Sequence, residues 1–100
     1  MFSHIVIFWT DPAQPGAADE LVAAANRALP RIPGLTQFHA GKMTPSTRPV
    51  VDQSYQAALN LIFPDRKAHD DYQTHPAHVE FVEKVVKRLV KKVVIYDFEA

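Results

Sequence analysis

One hundred residues, 47% of them apolar, are enough for one domain with a single core and too few for two. Eleven Lys and Arg balance eleven Asp and Glu, so no net field draws in nucleic acid or an anionic membrane. The chain has no cysteine, which excludes disulfides, thiol catalysis and thiolate metal sites.

The chain opens on Phe2 to Thr10, rich in β-branched and aromatic residues, which reads as a strand. No basic region precedes it and Asp11-Pro12 follow directly, so it lacks the form of a signal peptide. Its apolar run falls far short of the ~20 residues that span a bilayer. A cytoplasmic location is therefore expected. From Ala17 to Leu29 the apolar positions Ala18, Leu21, Val22, Ala25 and Leu29 recur at helical spacing, and Pro30 and Pro33-Gly34 end that helix. Leu35 to Met43 is expected as a second strand, Thr44 to Asp52 as a loop and Ser54 to Phe63 as a third strand. Asp65 is placed to cap a short helix from Arg66 to about Gln73. Pro76 breaks it and suits the first position of a further helix. That helix is expected to run to about Lys91 with a stripe of Val79, Val82, Val85, Val86, Leu89 and Val90. Val93 to Glu99 closes the chain as a fourth strand. The order β-α-β-β-α-β predicts an α+β, ferredoxin-like domain over residues 1–100 with a four-stranded antiparallel sheet.

Side chains alternate between the faces of a strand. In the first strand both sets are mainly apolar: Ser3, Ile5, Ile7 and Trp9 on one side, His4, Val6, Phe8 and Thr10 on the other. In the fourth, Val93 and Ile95 oppose Val94, Tyr96 and Phe98. A ferredoxin-like domain covers only one sheet face with helices. A free face bearing Phe8, Tyr96 and similar groups would be an exposed apolar patch. Packing that face on a second copy removes it, so a homodimer through the open sheet face, closing a dimeric α/β barrel, is expected.

The stretch most informative about chemistry is Tyr72-Gln-Thr-His75-Pro76-Ala77-His78-Val79-Glu80-Phe81. His75 and His78, three apart, are compatible with a metal, but no further ligands accompany them, and neither a metal nor a cofactor is expected. His75, just before Pro76, reads as a helix cap. His78 falls in the first helical turn, where the helix N-terminus disfavours its charged form and leaves a neutral imidazole able to act as a general base. Tyr72, across the proline break, is able to converge on the same cavity and donate to a substrate carbonyl. His4 shares a strand face with Val6 and Phe8 and needs a partner if buried. His39 and His69 look ordinary. Lys84, Lys87, Arg88, Lys91 and Lys92 suit a solvated face rather than a nucleic-acid site.

Four segments resemble the stress-responsive A/B barrel (Dabb) family. They are Phe2-Ser3-His4-Ile5-Val6-Ile7-Phe8, Ile32-Pro33-Gly34-Leu35, Tyr72 with His75-Pro76-Ala77-His78 and Phe81, and Val94-Ile95-Tyr96-Asp97-Phe98. The resemblance implies a homodimeric barrel. A plant branch of the family comprises polyketide cyclases, and by that similarity His78 is the general base and Tyr72 holds a carbonyl. His4, Val6, Phe8, Phe81 and Leu89 are the implied pocket residues. Gln73, Leu89 and Ala57 depart from the cyclases, which carry an apolar residue, an aromatic and a histidine there, so a different pocket shape is implied. Three readings follow: a barrel binding a small organic molecule, a cofactor-independent enzyme on a carbonyl compound, and an oligomeric scaffold.

Overall fold

In the computed structural model, which describes residues 1–100, β1 (Phe2–Thr10) is followed by α1 (Ala17–Ala28), β2 (Gln37–Lys42) and β3 (Ala57–Phe63). Then come α2 (Arg66–Thr74), α3 (Pro76–Phe81), a π-helical turn (Val82–Val86), α4 (Lys87–Leu89) and β4 (Val90–Glu99). The strands form one sheet in the order β2-β3-β1-β4, every neighbouring pair antiparallel. This is the ferredoxin-like arrangement that the element order predicts. The helices lie on one face of the sheet, and the other face is uncovered.

Local chemistry sets most boundaries. The Asp65 carboxylate accepts from the Ala68 N–H at 2.9 Å and starts α2 as expected. His75 caps α3 in the same way, its Nδ1 accepting from the Ala77 N–H at 3.1 Å, with Pro76 next. Gly34, at φ +94°, turns the chain beneath α2, where an added Cβ would sit 3.3 Å from the Ala68 Cβ. Only glycine meets both demands without strain.

Three boundaries differ from the sequence reading. β3 begins at Ala57 rather than Ser54, because the Gln56 side chain turns to accept from the Thr10 N–H at 2.8 Å and Ser54 bonds back to Asp52. β2 spans Gln37–Lys42, shorter than Leu35 to Met43. The last helix stops at Leu89, not Lys91, because the Leu89 carbonyl is taken by the Asp11 N–H at 2.8 Å and Val90 already pairs with Thr10 across a bulge at Lys91 of β4.

Register decides the two faces. Phe2, His4, Val6 and Phe8 pair with Phe63, Leu61, Leu59 and Ala57 of β3, and all eight are buried beneath the helices. Leu21 and Ala25 of α1, Leu29 at its C-cap, and Phe81 and Leu89 of the C-terminal helical run complete that core. Ser3, Ile5, Ile7 and Trp9 face away, beside Phe98, Tyr96, Val94 and Lys92 of β4. Phe8 and Tyr96 therefore lie on opposite faces, which corrects the expectation that both belong to the open one. The uncovered face remains apolar without Phe8, with Tyr96 60% and Phe98 55% exposed.

Candidate functional site

A cavity of about 210 Å³ lies between the sheet and the C-terminal helical run. His4, Val6 and Phe8 of β1, Leu59 of β3 and Val93 and Ile95 of β4 form its floor. Phe81 and, from the π-helical turn, Val82 and Val86 form a wall, and Tyr72, Gln73 and His78 close its polar end. The break between α2 and α3 makes that end. In an unbroken helix, residues six apart point about 120° away from each other. Here His75 takes an extended conformation (φ −63°, ψ 136°), the chain bends, and the Tyr72 and His78 rings meet with centroids 4.6 Å apart. The His4 ring lies on the other side of Tyr72, 6.0 Å away.

Hydrogen bonds fix the imidazole tautomers. His78 Nδ1 is 3.0 Å from the Gln73 carbonyl oxygen, which only accepts, so Nδ1 carries the proton and Nε2 holds a free lone pair. Burial pushes the His78 pKa down, outweighing the Gln73 carbonyl that raises it, with His4 and His69 adding to the fall. Burial is thus the main cause that keeps the ring neutral. His4 Nδ1 donates to Asp97 Oδ1 at 2.6 Å. Burial again dominates and lowers the His4 pKa, against the carboxylate that raises it. Every fully enclosed side-chain polar atom in the chain is paired, so the unpaired Tyr72 hydroxyl opens onto the cavity. Burial pushes the phenol pKa far up, so this hydroxyl stays a hydrogen-bond donor at physiological pH. One donor and two neutral nitrogen acceptors therefore stand at one end of an otherwise apolar chamber.

Of the residues singled out in the sequence, Tyr72, His78, His4, Val6, Phe8 and Phe81 converge on this cavity, and Leu89 does not. Leu89 is 1% exposed and packed in the core. The physical reason is the π-helical turn, whose wider spacing rotates later residues by about 100° relative to a regular helix. Val82 and Val86 take the lining instead. The cavity also lies inside one protomer, under the helices, and not within a barrel interior on the open face.

His69, ordinary by its sequence context, is 6% exposed. It stacks on Phe2 at 4.3 Å, bonds Asp70 through Nδ1 at 3.1 Å and meets the Gln73 amide through Nε2 at 2.9 Å. Its spacing of three from Tyr72 puts both on one helix face and was the available signal. Of the two histidines whose spacing is compatible with an ion-binding geometry, His75 caps α3 through Nδ1 and His78 bonds the Gln73 carbonyl through Nδ1. A different trio does approach such a geometry: His4, His69 and Asp97 each offer one ligand atom, all within 4.8 Å of one another. The basic residues of the C-terminal run are individually engaged, Lys84 with Glu80, Lys87 with Glu83, Arg88 with Glu20, Lys91 with Asp11 and Lys92 over the Trp9 ring. No helix is long and apolar enough to cross a membrane.

The family model of the stress responsive A/B barrel domain matches residues 2–100. No curated protein matches the chain. Among solved structures, a Dabb family protein with a ferredoxin-like fold from Mesorhizobium loti is 25% identical, with 99% of this chain and 95% of that one covered at a TM-score of 0.79. A protein from Arabidopsis thaliana is likewise 25% identical, covering 100% and 95% at a TM-score of 0.79. A dimeric ferredoxin-like protein from Thermobifida fusca is similar at 18% identity, covering 99% and 90% at a TM-score of 0.79.

Proposed function

The chain belongs to the stress responsive A/B barrel domain family, and we propose that it is a homodimer, joined through the uncovered sheet face, that binds a small organic molecule in the cavity of each protomer. The observation that carries the binding assignment is the unpaired Tyr72 hydroxyl facing an apolar chamber beside the free Nε2 of His78. At about 210 Å³ the chamber is smaller than the ~300–1,000 Å³ pockets that hold drug-sized ligands. It suits a compact, mainly apolar carbonyl compound. Tyr72 donates to that carbonyl, His78 and His4 accept from its neighbours, and Val6, Phe8, Phe81, Val82 and Val86 enclose its carbon skeleton.

The dimer rests on the exposed Tyr96 and Phe98 of the edge strand, on the half-buried Val94, Ile5, Ile7 and Trp9, and on the dimeric state of ferredoxin-like relatives such as the Thermobifida fusca protein. Packing the sheets face to face shelters these groups and leaves both cavities on the outer, helical sides.

The fixed tautomer of His78 favours a second reading, a cofactor-independent enzyme. Nε2 removes a proton beside the bound carbonyl, and Tyr72 stabilises the enolate oxygen that forms. Proton exchange into D₂O, followed by NMR for a panel of compact β-diketones, tests both readings. Binding with His78-dependent exchange supports catalysis. Binding with exchange unchanged in His78→Ala leaves the binding reading and removes the catalytic one. A crystal structure that retains a native ligand elsewhere, with this cavity closed, overturns both.

A further inference from the structure

We propose that His4, His69 and Asp97 form a binding site for a divalent transition-metal ion, a site that shares His4 with the cavity. Three elements distant in sequence converge there. His4 sits on a central strand and Asp97 directly opposite it on β4, while His69 descends from α2 with its ring centroid 4.8 Å from that of His4. One ligand atom from each lies within 4.8 Å of the others. Ligand atoms around an ion with bonds of about 2.0–2.2 Å stand roughly 3 Å apart, so small side-chain rotations close the set.

The chemistry of the donors suits an ion. Two imidazoles and one carboxylate are the mixed N/O set that selects zinc and its first-row neighbours over magnesium or calcium. Three protein ligands leave further positions for water. His69 is held at Nδ1 by the Asp70 carboxylate at 3.1 Å, the outer contact that orients a ligating histidine with Nε2 toward the ion. Gln73, which meets Nε2 at 2.9 Å, swings aside as the ion enters. The Asp97 side chain is 39% exposed and gives the ion a way in, whereas both imidazoles are nearly enclosed.

The test uses the whole chain, dialysed against chelator and then titrated with Zn²⁺ in a calorimeter and with Co²⁺ by visible absorption. The expected result is one ion per protomer, a Co²⁺ d–d band, and a thermal midpoint raised by about 5 °C or more at saturating Zn²⁺. Asp97→Asn and His69→Gln each weaken binding at least tenfold, while His75→Gln leaves it unchanged. Asp97 is at the surface, so Asp97→Asn carries the test if the buried substitution prevents folding. Absence of stoichiometric binding overturns the proposal, as does Zn²⁺ affinity that survives Asp97→Asn. The organic ligand is read separately, from the β-diketone experiment.

Discussion

The two faces of one sheet solve the same problem by different means. On the covered face, Phe2, Val6, Phe8, Leu59, Leu61 and Phe63 are sheltered by the chain's own helices. On the other, Ile5, Ile7, Trp9, Tyr96 and Phe98 have no cover within the protomer. The covered face also carries all the buried polar groups: His4 and His69 lie there, each with a partner. The difference teaches where chemistry can reside. Burial holds an imidazole neutral to lower pH and a fixed partner sets its tautomer, and the helical side supplies both.

The largest effect expected on this contrast comes from the covered face. Phe63 packs against Phe2, His69 and Tyr72, so Phe63→Ala costs about 3–5 kcal/mol, read by urea unfolding at fixed protein concentration. A loss below about 1 kcal/mol would show that this face is not the stabilising one. Next comes the open face. Tyr96→Asp places a charge in the proposed dimer interface and is expected to weaken self-association by about a hundredfold or more, measured by sedimentation, with far-UV dichroism unchanged. Unaltered association would move the interface elsewhere. Third, Gly34→Ala requires an L-residue at φ +94° against the Ala68 Cβ and costs about 1–2 kcal/mol by the same unfolding assay. Unchanged stability there would mean that the corner relaxes freely.

The smallest effect is the pH dependence. Both His4 and His78 have native pKa values below 6.5 through burial. Above pH 6.5 neither state takes up a proton, and their contribution to stability is flat. As pH falls through 6.5 the unfolded chain binds protons that the native rings resist, so stability declines until the lower native pKa values are reached. Unfolding measured between pH 7.5 and 5 should show this slope, and His4→Gln should reduce it. A slope that His4→Gln leaves intact would assign the pH dependence to other groups.

Much of this was legible beforehand. The punctuation by Pro12, Pro33-Gly34, Pro64 and Pro76 delimits the elements, and Asp65 and His75 announce their caps, because turns and caps depend on neighbours only a few residues away. The Tyr72–His78 encounter was legible too, since a proline between them forces the bend. Leu89 was misplaced because a π-helical turn has no marker in the apolar spacing. His69 was passed over because its helix is otherwise polar, and its burial depends on Phe2 at the far end of the chain.

The sequence by itself determined the order of elements, the two-sided apolarity of β1 and β4, and the neutral balance of charge, all of them local or additive properties. The tertiary structure decided which apolar set is covered, that Phe8 and Tyr96 part company, and that His4 meets both Asp97 and His69. Those outcomes hang on strand register, where a slip of one residue exchanges the faces. Register is fixed only when the hydrogen bonds and packing of the whole sheet form together.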